Sequence, residues 1–167
     1  METCCFRRLA DSSIWIAFYR IGRLGTLLSV PGLAIARPVV RELRAGTDDL
    51  ARRVEGTLGA DCFDVEIVAD GLTATLTDIL QVNDKRLSDA DASQVAYAQT
   101  HADATRLYMR DGPAQRQARR IGAPVSSHED LVDDMVRLSV LAPEQGAELR
   151  RQLTEYFQRR GRRRAIP

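Results

Sequence analysis

Short apolar runs separated by helix-forming stretches constrain this chain most. Residues 33–36, 105–109 and 123–125 each read as a brief strand. Each is followed by a helix-opening residue and by apolar positions at helical spacing. A chain that alternates in this way buries its strands in a parallel sheet with helices on both faces. In such a sheet the functional groups collect beyond the carboxyl ends of the strands. The expected fold is therefore α/β, a three-layer α/β/α domain built on a short parallel sheet.

Local signals divide the chain further. Residues 4–10 form a candidate first strand, weakened by Arg7 and Arg8. Asp11-Ser12-Ser13 caps a helix that carries the apolar run 14–19, and Pro31-Gly32 marks a turn. Pro38 opens a helix that stops near Gly46, and a second helical stretch runs from Asp48 to Leu58. Residues 63–69 alternate apolar and acidic side chains and read as an edge strand, whereas residues 70–86 carry no clear pattern. Ser88 and Asp91 make a capping box for a helix over 88–100. Asp111-Gly112-Pro113 opens a helix over 114–121 that ends at Gly122. Helices over 127–141 and 143–160 follow, and Arg159 to Arg164 make an Arg-rich tail. The division expected is a domain over 1–141 followed by a carboxyl-terminal helix and tail over 142–167.

Composition narrows the functional classes. At 167 residues the chain is the size of one domain. A net charge of +1 gives no global field to draw it onto nucleic acid or membrane, so such binding needs a local patch. Only Lys85 among the basic residues is a lysine; the rest are arginines, whose planar fork suits phosphate oxygens. Cys4, Cys5 and Cys62 form no CxxC pair and fit a reducing compartment. No apolar stretch approaches the ~20 residues of a membrane span. Arg7 and Arg8 interrupt the amino terminus where a signal peptide is apolar. A soluble, cytoplasmic protein without membrane contact is expected.

Nucleotide-binding glycine loops, HExxH and GxSxG are absent from the sequence. His101 closes a helix and His128 sits inside a capping box, so neither reads as catalytic. The acids are more informative. Asp11 follows the first candidate strand and Asp111 the strand over 105–109. Glu42 lies one turn into the helix after the second strand, and Asp91 in the first turn of the helix over 88–100. Singly, each has a bland role: Asp11 and Asp111 as caps, Asp91 in its capping box, Glu42 as a solvated residue beside Arg41. Jointly, the strand-end rule brings all four to one crevice.

In that order the motifs resemble the PIN-domain nucleases. Asp11-Ser12-Ser13-Ile14-Trp15-Ile16 leading to Ile21-Gly22-Arg23-Leu24 is similar to the family's opening. Pro38-Val39-Val40-Arg41-Glu42-Leu43 is similar to its second acidic helix, and Leu87-Ser88-Asp89-Ala90-Asp91-Ala92 to its third acidic motif. Arg110-Asp111 with the helix bearing Arg116, Arg119 and Gly122 is similar to its fourth. The resemblance spans roughly residues 9–126, and residues 47–86 match only loosely. It implies a metal-dependent ribonuclease with Asp11, Glu42, Asp91 and Asp111 as the catalytic acids. Asp11, Asp91 and Asp111 would be the ligands of Mg²⁺ or Mn²⁺. Asp89 competes with Asp91 for the third position, and Asp91 is preferred because Ala92 follows it. Ser13, Arg110 and Arg116 would contact substrate. Arg119, Arg120 and the tail are further candidates for phosphate contact.

Electrostatics supports a cation at such a cluster. Two unit charges ~6 Å apart repel by about 3 kcal/mol at an effective dielectric of 20. Either some acids hold protons or a cation neutralises them, and all-oxygen ligands suit Mg²⁺ or Mn²⁺. The resemblance further implies RNA as substrate and, from family and size, the toxin role of a toxin–antitoxin pair with a cognate antitoxin; a homodimer stays open. Two rivals stay open beside it. One is a catalytically inactive PIN-like module that binds RNA or protein through its arginines. The other is an unrelated doubly wound domain in which Asp11 and Asp111 are only caps.

Overall fold

The computed structural model describes residues 6–65, 87–110 and 112–164, the last three without side chains. Cys4, Cys5, Lys85, the rest of the 66–86 stretch and Asp111 lie outside the described residues, as do the side chains of Arg162, Arg163 and Arg164.

Five strands and seven α-helices alternate along the described chain. The strands are β1 (Arg7–Ala10), β2 (Ile35–Ala36), β3 (Cys62–Phe63), β4 (Thr105–Tyr108) and β5 (Val125–Ser126). The helices are α1 (Ser12–Arg20), α2 (Leu24–Leu28), α3 (Arg37–Leu58), α4 (Asp89–Thr100), α5 (Pro113–Arg120), α6 (His128–Arg137) and α7 (Pro143–Arg164). All strand pairs are parallel: β1 pairs with β4, β4 with β5, and β2 with β3. A parallel bridge between Arg8 and Leu33 seats the β2–β3 pair beside β1. The backbone bonds from Arg8 N–H to Gly32 O (2.8 Å) and from Ala34 N–H to Arg8 O (3.0 Å) hold it there. The spatial order is therefore β3-β2-β1-β4-β5. The chain moves one way from β1 and then the other, so the topological switch point, where open α/β sheets place their ligands, lies between β1 and β4.

Packing follows the alternation. α1 packs against α3 and α7, and α7 against α6, whereas α4 packs against α5 and β4. One apolar core runs through both groups, from Leu9, Trp15 and Phe18 to Leu107 and Met135. Leu149, Leu153 and Phe157 of α7 are buried in the same core, so the helix expected over 142–167 is joined to the domain it follows. The arginines of β1 are tolerated because each finds a ring: Arg7 lies 4.4 Å from the Phe63 centroid and Arg8 4.9 Å from that of Phe6.

Several boundaries differ from those read in the sequence. The strand over 33–36 contracts to two residues plus the Leu33 bridge, since Gly32 at φ +71° delivers the chain sideways onto β1. A Cβ at Gly32 would meet Phe6 O at 2.2 Å. The two helices read on either side of Thr47 form one run, kinked where Thr47 takes φ −155° and ψ 65°. β3 covers only the start of the strand read over 63–69; residues 66–69 lie outside the described residues. α6 stops at Arg137 instead of 141, before Ser139 turns to φ 59°. The tail read beyond residue 160 continues α7 to Arg164, supported by the Arg159–Glu155 pair at i,i+4 (3.8 Å). Among the described residues no helix is long and apolar enough to cross a membrane.

Candidate functional site: an acidic crevice at the switch point

The carboxyl edge of the sheet gathers the acids through chain direction alone. Ala10 and Tyr108 are the last paired residues of β1 and β4, and Asp11 N–H donates to Tyr108 O (3.0 Å). Asp11 thus stands at the first position beyond the switch point. α3 follows β2, so its first turns, with Glu42, rise from that same edge. α4 precedes β4 and runs back along it, which brings its amino-terminal turn, with Asp91, to the carboxyl edge.

Asp11 caps α1 and is built into a closed set of donors. Its Oδ1 accepts from the Ser13 hydroxyl (2.8 Å) and from Ile14 N–H (2.9 Å); its Oδ2 accepts from Arg110 N–H (3.0 Å). The last bond spans the switch point and is set by β4. Gln115, buried at 1% exposed, donates from Nε2 to Met109 O (3.0 Å) and so fixes the turn that carries Arg110. The sequence reading passed over Gln115; its one signal was an amide on the apolar stripe of α5 between Ala114 and Ala118.

The three described acids act on one another. Burial raises the carboxyl of Asp11 above its usual range against the three hydrogen bonds that favour its charge, and the charge of Glu42 adds to the rise. Burial first, then the charges of Asp11 and Glu42, push Asp91 up to about 6. Ser88 opposes this by hydrogen bonding, as the capping-box reading expects. The structure therefore brings Asp11, Glu42 and Asp91 into one electrostatic neighbourhood. Asp89 points elsewhere: it is exposed and lies 3.9 Å from Arg41. Asp111 is outside the described residues, and its neighbour Arg110 is bonded to Asp11.

Carboxylate oxygens are the ligand type that hard divalent cations take. Among the described residues, no group of three acidic, histidine or cysteine side chains is arranged to hold a metal ion. The basic candidates fall into two groups. Arg116, Arg119 and Arg120 are exposed on α5, opposite the buried Ala114, Gln115 and Ala118. Arg110 instead lays its guanidinium 4.5 Å from the Phe157 centroid. His101, the C-cap of α4, stacks on Tyr97 at 4.2 Å, away from the acids.

Compared with known proteins, the chain matches no family model and no curated protein.

Proposed function

We propose that the chain is a metal-dependent ribonuclease of PIN-like type, with Asp11, Glu42, Asp91 and Asp111 as its acidic centre. One observation carries this reading: Asp11 after β1, Glu42 on α3 and Asp91 on α4 act on one another, so that Asp91 is pushed up to about 6, by burial first and then by the charges of the other two. Structural acids in a fold are normally offset by a cation or left in water; here the offset is missing among the described residues. Asp11, Asp91 and Asp111 would hold Mg²⁺ or Mn²⁺, with Glu42 completing the site. A divalent cation in such a site supplies neutralising charge and a bound water of lowered pKa.

The chain's own residues do the rest. Ser13, Ile14 N–H and Arg110 N–H hold the Asp11 carboxylate in one orientation, with one lone pair of Oδ2 left without a donor among these bonds. The exposed Arg116, with Arg119 and Arg120, would take phosphates of single-stranded RNA along α5, and the arginines at the end of α7 would extend that path. The toxin role, a cognate antitoxin that covers this edge, and a cytoplasmic setting belong to the same proposal.

The test is cleavage of RNA oligomers with Mn²⁺ or Mg²⁺ against EDTA, for wild type and Asp11→Asn. Asn keeps the shape and much of the cap but removes the charge. The substitution is expected to reduce cleavage by more than about 100-fold, beyond the loss typical of residues one shell further out. Folding, followed by circular dichroism, should be nearly unchanged. Wild-type protein that cleaves no RNA and whose melting temperature ignores Mn²⁺ would point to a binding module instead.

A further inference from the structure

The same sheet edge carries a second feature, one step from the acids. α6 begins just after β5, and α7 runs antiparallel to it, so the start of α6 faces the end of α7 at the carboxyl edge. Gly146 lets the pair approach: a Cβ there would lie 2.5 Å from Val136 Cγ2. Between them, beside β4, is a cleft of about 400 Å³ lined by Arg110, His128, Glu129, Thr154, Phe157 and Gln158. The groove is shallow and open toward solvent.

Phe157 is the buried anchor of the cleft, 6% exposed. Arg110 lies over its ring at 4.5 Å, and the His128 ring meets it edge-on at 4.9 Å and 67°. Two planar groups are thereby packed on one ring. His128 Nδ1 is buried without a hydrogen-bond partner, so the fold itself makes no use of that atom. Glu129, Thr154 and Gln158 add acceptors and donors at the rim. The carboxylate of Glu129 opposes the charge of Arg110, which disfavours a phosphate here and suits a neutral planar ring. Proteins that read single-stranded RNA stack splayed bases on aromatic side chains and Arg planes and bond their edges; this wall has that chemistry.

We propose that the cleft between α6 and α7 is a nucleobase subsite, which takes the base next to the phosphate presented to Asp11, Glu42 and Asp91. Arg110 links the two, since its backbone N–H holds Asp11 (3.0 Å) while its guanidinium forms the cleft wall. The subsite rests on the ribonuclease reading for its place in the reaction, but not for its occupancy.

The chain has only two histidines, which makes the test direct. His101 ends α4 at the opposite edge of the sheet and is the internal control. The imidazole resonances are followed by NMR while homo-oligomers of U, C, A and G, and an abasic oligomer of equal length, are added in EDTA. The His128 signal is expected to move saturably with at least one base, and that of His101 to stay. His128→Ala should weaken the preferred oligomer by about tenfold, the order of one lost stacking contact, and Gln158→Ala, which removes a hydrogen-bonding group at the rim, should flatten the ranking of the four. Unchanged melting temperatures exclude a folding defect. Equal binding of the abasic oligomer, a ranking that survives both substitutions, or no RNA binding at all would overturn the subsite. Because EDTA removes cleavage from the readout, the two readings fail separately. Cleavage with an unaltered ranking sinks the subsite alone. A base-dependent His128 response without Mn²⁺-dependent cleavage keeps the subsite and sinks the nuclease.

Discussion

Asp11 and Asp134 are both buried acids, Asp11 the more deeply enclosed, and their carboxyls shift in opposite directions. Asp134, on α6, accepts from the Tyr108 hydroxyl of β4 and from Arg137 (2.5 Å). Burial works to raise it, but those hydrogen bonds and the charge of Arg137 hold it below the usual carboxylate range. Asp11 also accepts three hydrogen bonds, but all its donors are neutral and its nearby charge is another acid, Glu42. Its carboxyl is raised. Burial is the largest influence on both acids: at Asp11 it outweighs the neutral donors, whereas at Asp134 the hydrogen bonds and the Arg137 charge outweigh it. One acid is neutralised within the chain and braces the helix against the sheet. The other is held in position by neutral donors, with no ion pair to it among the described residues.

The contrast can be broken most strongly at its paired end. Asp134→Ala leaves the Tyr108 hydroxyl buried and alone, and should destabilise the fold by about 2–3 kcal/mol, the range for hydrogen bonds to a charged group. The pH dependence follows from the sign. The native carboxyl titrates below its unfolded value, so its contribution is full above the ordinary carboxylate range and fades as pH falls through the native value. Urea unfolding at pH 7 and near pH 3 should therefore show a large gap between variant and wild type that closes in acid. A gap that stays constant would mean that packing, not charge, carries the effect.

At the unpaired end the expected sign reverses. Asp91 is raised to about 6, so the native state keeps its proton through a window in which the unfolded chain has lost it. Stability then falls as pH rises from about 4 to about 6, and the penalty is complete above. Asp91→Asn removes the penalty but weakens the contact with Ser88. A net gain of about 1 kcal/mol is expected at pH 8, and none near pH 4, read from melting or urea curves. A loss of stability at pH 8 would place Asp91 with Asp134, as an acid satisfied by its own fold.

The smallest effect sharpens the comparison at Asp11 itself. The Ser13 hydroxyl is the largest influence that lowers its carboxyl. Ser13→Ala should cost about 0.5–1 kcal/mol of stability and let the Asp11 carboxyl rise further. The acid limb of the pH–cleavage profile would then move toward higher pH by a fraction of a unit. An unmoved limb would show that Asp11 is not the group that titrates in that range.

Much of the frame was legible because the signals are local. Asp11 as the cap of α1, Pro38 in the first turn of α3, Ser88 with Asp91 at the start of α4, and Gly122 at φ +74° after α5 each depend on residues within four positions of one another. Strand-end logic grouped Asp11, Glu42, Asp91 and Asp111, since in a parallel sheet chain direction alone fixes which helix ends share an edge; the first three act on one another, and Asp111 lies outside the described residues. Other features were hidden because their partners are distant in sequence. The Arg110 bond to Asp11 spans 99 residues and that between Tyr108 and Asp134 spans 26. His128 looked like a bland member of its capping box until α7 brought Phe157 beside it.

By itself, then, the sequence determined where the capped helices start and which acids follow strands, because caps and turns act over one helical turn, whereas several helix ends were set by packing. Only the tertiary structure decided which of the buried acids is neutralised and which is left charged against another. That distinction depends on the register of β1 against β4 and on the packing of α6 on β4, which set the few ångströms between a carboxylate and the nearest cation.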